Sequence, residues 1–138
     1  MSKKIVLISC VKRKLTHPAK AKDMYISNLF KKLFAYAQLL NPDLMFILSA
    51  KYGLLKLDEV IEPYELTLNN MRIKDRKEWS NNVLKKLKKH TDLENDNFVF
   101  LAGERYREFI LPYIKHYEIP LQGLGFGPQL SWLKKRLP

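Results

Sequence analysis

Three short stretches of this chain share a pattern suited to binding an anion. They are ISCVKRK at residues 8–14, LSAKYG at 48–53 and LAGERY at 101–106. In each, an apolar run closes on small residues and a basic side chain follows within three positions. The candidate ligand residues are therefore Ser9, Cys10 and Lys12; Ser49, Lys51, Tyr52 and Gly53; and Gly103, Arg105 and Tyr106. Small residues let a ligand approach the backbone, where amides and hydroxyls at helix starts suit a negative charge. Cations with aromatic rings match what a nucleotide needs: charge for a phosphate and a ring face for a base.

Residues 54–68, LLKLDEVIEPYELTL, read as a long irregular loop that brings carboxylates and another ring. Such loops often form part of a site, so Glu62 or Tyr64 is expected to face the same crevice, the other reading being that Glu62 and Pro63 pin the loop. Asp23, Asp58, Glu62 and Glu104 are the candidates for proton transfer or for stabilising a developing cation. Cys10 has two readings, a low-pKa thiolate among cations or a small buried hydrophobe at a strand end, and the second is the commoner. His17, His90 and His116 lack metal-ligand spacing, among themselves or with Cys10, so no metal site is expected. No phosphate-loop, nucleophile-elbow or dinucleotide pattern occurs, and no cofactor is expected. The glycines of QGLGFGPQ, residues 122–129, read as a turn or as one wall of the crevice.

These residues need a scaffold. Residues 4–10, 44–50 and 98–103 are nearly unbroken apolar runs, as in parallel strands covered on both faces. Residues 24–40 carry Leu29, Leu33, Phe34, Tyr36, Ala37 and Leu40 at helical spacing, with Asp23 as N-cap and a stop before Pro42. Residues 71–89 predict a second helix with Ile73, Trp79, Val83, Leu84 and Leu87 inward. A third is predicted over 105–117, bent or broken near Pro112, followed by a strand over 118–124 and a closing helix over 128–137. The alternation predicts a single three-layer α/β domain over 1–138, with a mostly parallel sheet of about four strands flanked by helices. In such a sheet the carboxyl ends of the strands share one edge, where ligands bind.

A chain of 138 residues can bury an adequate core without disulfides, and its one cysteine forms no internal bridge. The apolar run in MSKKIVLISC is too short for a signal peptide or membrane anchor. A cytoplasmic monomer without membrane attachment is the expectation. Twenty-five Lys and Arg against fourteen Asp and Glu give a formal charge of +11, which favours polyanionic partners such as nucleic acid. Much of the excess is a lysine face, Lys85, Lys86, Lys88 and Lys89, that solvation alone would also explain.

The blocks ISCVKRK, PAKAKDMYISNLF, LSAKYGLL and IEPYELTL resemble a YaaA-like family of small bacterial and phage proteins of unknown function. The likeness covers almost the whole chain, and SAKYGLL followed by PYE and TL is its most specific part. In outline the family is similar to the uracil-DNA-glycosylase superfamily and to an accessory domain of archaeal tRNA transglycosylases. That resemblance implies an α/β fold with a base pocket at the strand ends. The chain departs from true uracil-DNA glycosylases in lacking their water-activating motif after the first strand and their C-terminal histidine loop. A carboxylate from the four named above would have to serve, with Tyr52 or Tyr64 stacking on a flipped base. Two readings follow: a nucleic-acid or nucleotide-binding protein acting on an N-glycosidic bond, or a noncatalytic binding or accessory module with the same surface.

Overall fold

The computed structural model describes residues 2–9 and 13–138. Cys10 and Lys12, two of the expected ligand residues, lie outside the described residues.

Strand β1 (Lys4–Ser9) is followed by a short β2 (Ala19–Lys20), the single turn α1 (Ala21–Met24) and α2 (Asn28–Leu39). Next come β3 (Leu44–Ser49), β4 (Gly53–Lys56), β5 (Val60–Ile61), a 3-10 turn (Leu68–Asn70) and the long α3 (Ile73–His90). The chain closes with β6 (Asn97–Leu101), α4 (Glu104–Arg107), a 3-10 turn (Leu111–Tyr113), β7 (His116–Glu118) and α5 (Phe126–Arg136).

Five strands form one sheet in the order β4-β3-β1-β6-β7. β1 lies parallel to β3 and β6, β6 lies parallel to β7, and β4 returns antiparallel beside β3. The apolar runs explain this arrangement. Ile5, Leu7, Phe46, Leu48, Phe98 and Phe100 face α3, where Trp79, Val83 and Leu87 cover them. Val6, Ile8, Ile47, Val99 and Leu101 face the other way, onto Phe30, Leu33 and Ala37 of α2 and Leu133 of α5. Both faces being buried, the central positions of β1, β3 and β6 are all apolar. The result is a three-layer α/β fold, as predicted. Among the described residues no helix is long and apolar enough to cross a membrane.

Several elements depart from the sequence expectations. The helix expected from residue 24 is divided. Met24 and Tyr25 are buried, and Tyr25 bridges Lys14 in extended conformation, so the helix restarts at Asn28. Ser27, not Asp23, caps it, its Oγ accepting from the Phe30 N–H at 3.2 Å. Asp23 sits exposed within α1. Ile73, expected inward, opens α3 with 57% of its surface exposed. Residues 105–117 are broken into two short turns, as Pro112 allows, and end in a strand rather than in helix, because His116 and Tyr117 pair with Asn97 and Phe98 at the sheet edge. The last strand therefore comes earlier than residues 118–124, and residues 121–124 form a turn closed by Leu124 N–H to the Leu121 carbonyl at 3.1 Å. Residues 54–68 are half regular: β4 completes a hairpin and β5 pairs with β2.

The register of β1 against β6 is held at the amino edge of the sheet by two aspartates. Buried Asp96 accepts from the Lys3 N–H through Oδ1 and from the Asp92 N–H through Oδ2, both at 2.8 Å. Asn97 N–H then donates to the Lys3 carbonyl at 2.8 Å, starting the ladder. Asp92 folds the preceding loop by accepting from the Asn95 side chain and from the Glu94 and Asn95 N–H groups. Those bonds, the Asn95 side chain foremost, hold the Asp92 carboxyl below its ordinary value. A depressed folded-state pKa means the stabilisation is complete above the ordinary carboxylate range and disappears as pH falls through the lowered value. Melting temperatures measured from neutral to strongly acidic pH should show a shallower acid limb for Asp92→Asn than for the parent. Asp96→Ala strips two backbone donors of their partner and should cost about 1–3 kcal/mol by denaturant unfolding at neutral pH.

Candidate functional site

The carboxyl ends of β1, β3 and β6 share one edge of the sheet, as their parallel pairing requires. Beside β1 this edge has a special geometry. The chain leaves β1 for β3 over one face, through α2, and later reaches β6 on the other side of β1 through α3, which packs on the opposite face. With crossovers diverging from β1, neither α2 nor α3 covers the gap between β1 and β6, and such a switch point is where open α/β sheets bind ligands. A cavity of about 360 Å³ lies there, within the range of small-molecule pockets.

Ser9 from β1 and Leu101, Ala102 and Gly103 from the end of β6 line the cavity. Leu29 and Leu33 of α2 supply an apolar wall, and Leu121, Gly123 and Leu124 face them from the turn before α5. Polar groups come from Glu104 and Arg107 of α4, Asn69 of the first 3-10 turn and Gln129 of α5. The Ser9 hydroxyl ties the two strand ends together, accepting from the Gly103 N–H at 3.3 Å. A Cβ built at Gly103 meets nothing within 4 Å, so the missing side chain leaves the cavity open. Gly123 has φ +82°, a conformation that favours glycine, and lets the turn close against the mouth.

The short α4 could not hold Glu104 alone; tertiary contacts pin it. Tyr106 packs edge-on against Trp79, with centroids 5.6 Å apart, and its hydroxyl accepts from the Leu68 N–H at 3.4 Å. Buried Arg76 of α3 pairs with Glu108 at 2.9 Å, and Arg105 also approaches Glu108 at 3.8 Å. Arg107 donates to the Ala102 carbonyl at 2.7 Å. Glu108 thus absorbs the nearby arginines, whereas Glu104 lines the cavity.

A second hollow, about 670 Å³, adjoins the first. Arg13, Lys14 and Thr16 line it together with residues 63–67 and Asn70. The turn at residues 67–70 is the wall between the two hollows, since Asn69 lines one while Thr67 and Asn70 line the other. The Lys14 ammonium sits over the Tyr64 ring at 4.5 Å and near the Tyr25 ring at 5.9 Å.

Of the expected site residues, the structure brings Ser9, Gly103, Glu104 and Tyr106 to the cavity and Tyr64 to the adjoining groove. The other described ones lie elsewhere. LSAKYG is a hairpin turn between β3 and β4, and Gly53 has φ +74°. Ser49 is fully buried, its Oγ accepting from the Tyr52 N–H at 3.0 Å and donating to the Tyr64 hydroxyl at 2.9 Å. The Tyr64 hydroxyl in turn meets the Tyr25 hydroxyl at 2.7 Å, and the Trp79 Nε1–H donates to the Ser49 carbonyl at 2.9 Å. Lys51 is exposed on the hairpin, its ammonium 5.2 Å from the Tyr52 ring. The Tyr52 hydroxyl accepts from the Glu62 N–H at 3.2 Å, so Glu62 and Tyr52 brace the loop. Asp58 is paired with Lys20 at 3.9 Å and Lys22 at 3.6 Å, and Asp23 borders a different hollow beside α2. Arg105 is exposed and turned toward Glu108.

Arg107, Gln129, Asn69, Arg13 and Lys14 are among the polar lining residues that the sequence pattern missed. The first two carried a signal: Arg107 lies in the same basic cluster as Arg105, and Gln129 closes the glycine segment that reads as a wall. Among the described residues no group of three or more His, Cys, Asp and Glu side chains is gathered as for a metal ion.

A family model matches residues 5–135, the whole sheet and every element that lines the two hollows; it is described as a family of unknown function, DUF6884. The chain belongs to this family. No match is found among curated proteins.

The hydroxyl cluster under the hairpin generates a prediction that separates support from binding. Ser49→Ala removes the acceptor of the Tyr52 N–H and one partner of Tyr64, and should lower stability by about 1–2 kcal/mol in denaturant unfolding. Lys51→Ala, on the exposed turn, should shift stability by less than about 0.5 kcal/mol. Equal effects from the two would show that the network does not hold the hairpin.

Proposed function

We propose that this protein binds a nucleotide unit, free or within nucleic acid, in the cavity at the ends of β1 and β6, and acts on its N-glycosidic bond. The observation that carries the reading is Glu104. Of the four candidate carboxylates it alone lines this cavity, and it does so opposite apolar walls of the size and character a base requires. The base would lie between Leu29 and Leu33 on one side and Leu121 and Leu124 on the other, with the amides of Gln129 and Asn69 available to its polar edge. Arg107 supplies positive charge at the same site.

In hydrolysis, Glu104 accepts a proton from water as the water oxygen bonds to the anomeric carbon and the bond from that carbon to the base nitrogen breaks. The base leaves with the bonding pair and takes up one proton, so the elements of water are divided between sugar and base. Cation-like charge developing on the sugar is stabilised by the same carboxylate. Support for this chemistry also comes from the resemblance to YaaA-like proteins and, in outline, to the uracil-DNA-glycosylase superfamily. The formal charge of +11 favours a nucleic-acid or nucleotide partner met in the cytoplasm by a monomer of this chain. The noncatalytic alternative shares the binding geometry and differs only in the fate of the glycosidic bond.

Two variants test the reading. Gly103 has φ −64°, which any residue can adopt, and open space where a side chain would start. Gly103→Leu should therefore keep the parent's melting temperature while weakening nucleoside monophosphate binding at least about tenfold, which is about 1.4 kcal/mol. Glu104→Gln should retain binding and lose release of free base from nucleotides or oligonucleotides, by about a hundredfold or more. Binding without base release in the parent would select the noncatalytic module. Unchanged binding in Gly103→Leu would remove the cavity as the site.

A further inference from the structure

Resting on that reading of the cavity, we infer that the groove beside it is a second subsite, built for the sugar-phosphate backbone of a single nucleic-acid strand. The ligand this site takes is then a strand rather than a free nucleotide.

Continuity is the first reason. The turn at residues 67–70 is a common wall, and the Thr67 hydroxyl lies 3.5 Å from the Tyr106 hydroxyl, which belongs to the cavity side. A nucleotide seated in the cavity therefore has its neighbour over the groove. Chemistry is the second. Arg13 and Lys14 contribute two cations, while Thr16, Thr67 and Asn70 add neutral hydrogen-bonding groups, so the lining can meet phosphate and sugar oxygens. One carboxylate, Glu65, also lines the groove and opposes an anion there.

Preorganisation is the third reason. The segment carrying the cations is strapped to the fold: Ile26 N–H donates to the Arg13 carbonyl at 3.0 Å, and Leu15 N–H donates to the Met24 carbonyl at 2.9 Å. The Lys14 ammonium rests over the ring of Tyr64, and the hydroxyl chain from Ser49 through Tyr64 to Tyr25 fixes that ring. A ring face orients an ammonium, so the groove holds a positioned lysine. The Tyr64 ring itself is a stacking surface, of the kind that single-strand binders place along a basic track.

The test compares a nucleoside monophosphate with oligothymidylate and oligouridylate of about eight nucleotides, a length within single-strand site sizes. The parent should bind the oligonucleotides more tightly. The double variant Arg13→Gln, Lys14→Gln should lose about tenfold in oligonucleotide affinity, with the log–log salt slope shallower by about 0.7 for each phosphate no longer neutralised. Its monophosphate affinity should be unchanged. Glu65→Gln, an exposed position with little effect on folding, should act in the opposite direction and strengthen oligonucleotide binding. Oligonucleotide affinity unmoved by both variants, or a monophosphate affinity that falls in step with it, would overturn the groove. Failure of the cavity reading looks different: the monophosphate does not bind the parent, or binding ignores Gly103→Leu, while the oligonucleotide response to the groove variants is still measured.

Discussion

The structure depends on the placement of β1. Its residues Ile5, Val6, Leu7 and Ile8 are all fully buried, so the strand needs apolar cover on both faces and a hydrogen-bonding partner on both edges. α2 and α3 provide the cover, on opposite faces, and β3 and β6 provide the edges. This arrangement puts the two crossovers on opposite faces of the sheet, leading to strands on opposite sides of β1. The gap above its carboxyl end cannot be closed by either helix, and the cavity exists because the central strand is satisfied in this way.

What surrounds that gap divides into support and lining. Support goes to short elements that would not persist alone: a one-turn helix costs more to nucleate than it returns. α4 is held by Trp79 against Tyr106 and by the Arg76–Glu108 pair, both reaching from α3. A buried ion pair contributes little net stability, because desolvation offsets the attraction. Its consequence here is geometric, since it anchors α4 and uses up Glu108, leaving Glu104 to face the cavity. The same division appears under the hairpin, where Ser49, Tyr64 and Tyr25 bond one another and thereby set the ring on which Lys14 rests.

The charge excess takes on a location in this view. Most lysines of α3 project into solvent, as amphipathic helices require. Arg13, Lys14 and Arg107 differ because they line hollows. A low-dielectric wall strengthens the field of a cation beside it, so a few placed charges shape the field inside the hollows more than the larger number spread over α3.

The fold class was legible in the sequence because it rests on local regularity. Three unbroken apolar runs separated by helical periodicity admit few arrangements other than a parallel sheet with helices on both faces, and their small terminal residues marked the edge that holds the cavity. Ser9, Gly103 and Glu104 were found by that rule. The same rule failed at LSAKYG, where the next apolar residues return antiparallel as β4: a strand followed by a turn looks alike in sequence whether the chain goes on to a helix or folds back. It also failed to separate Glu104 from Asp23, Asp58 and Glu62, or Arg107 from Arg105. Composition and spacing determine that a polar side chain sits near a strand end. Whether it is turned inward to bond the backbone, outward to solvent or into a cavity is decided by residues remote in the chain, such as Trp79 against Ser49 and Arg76 against Glu108, because a short segment has too few internal bonds to set its own orientation.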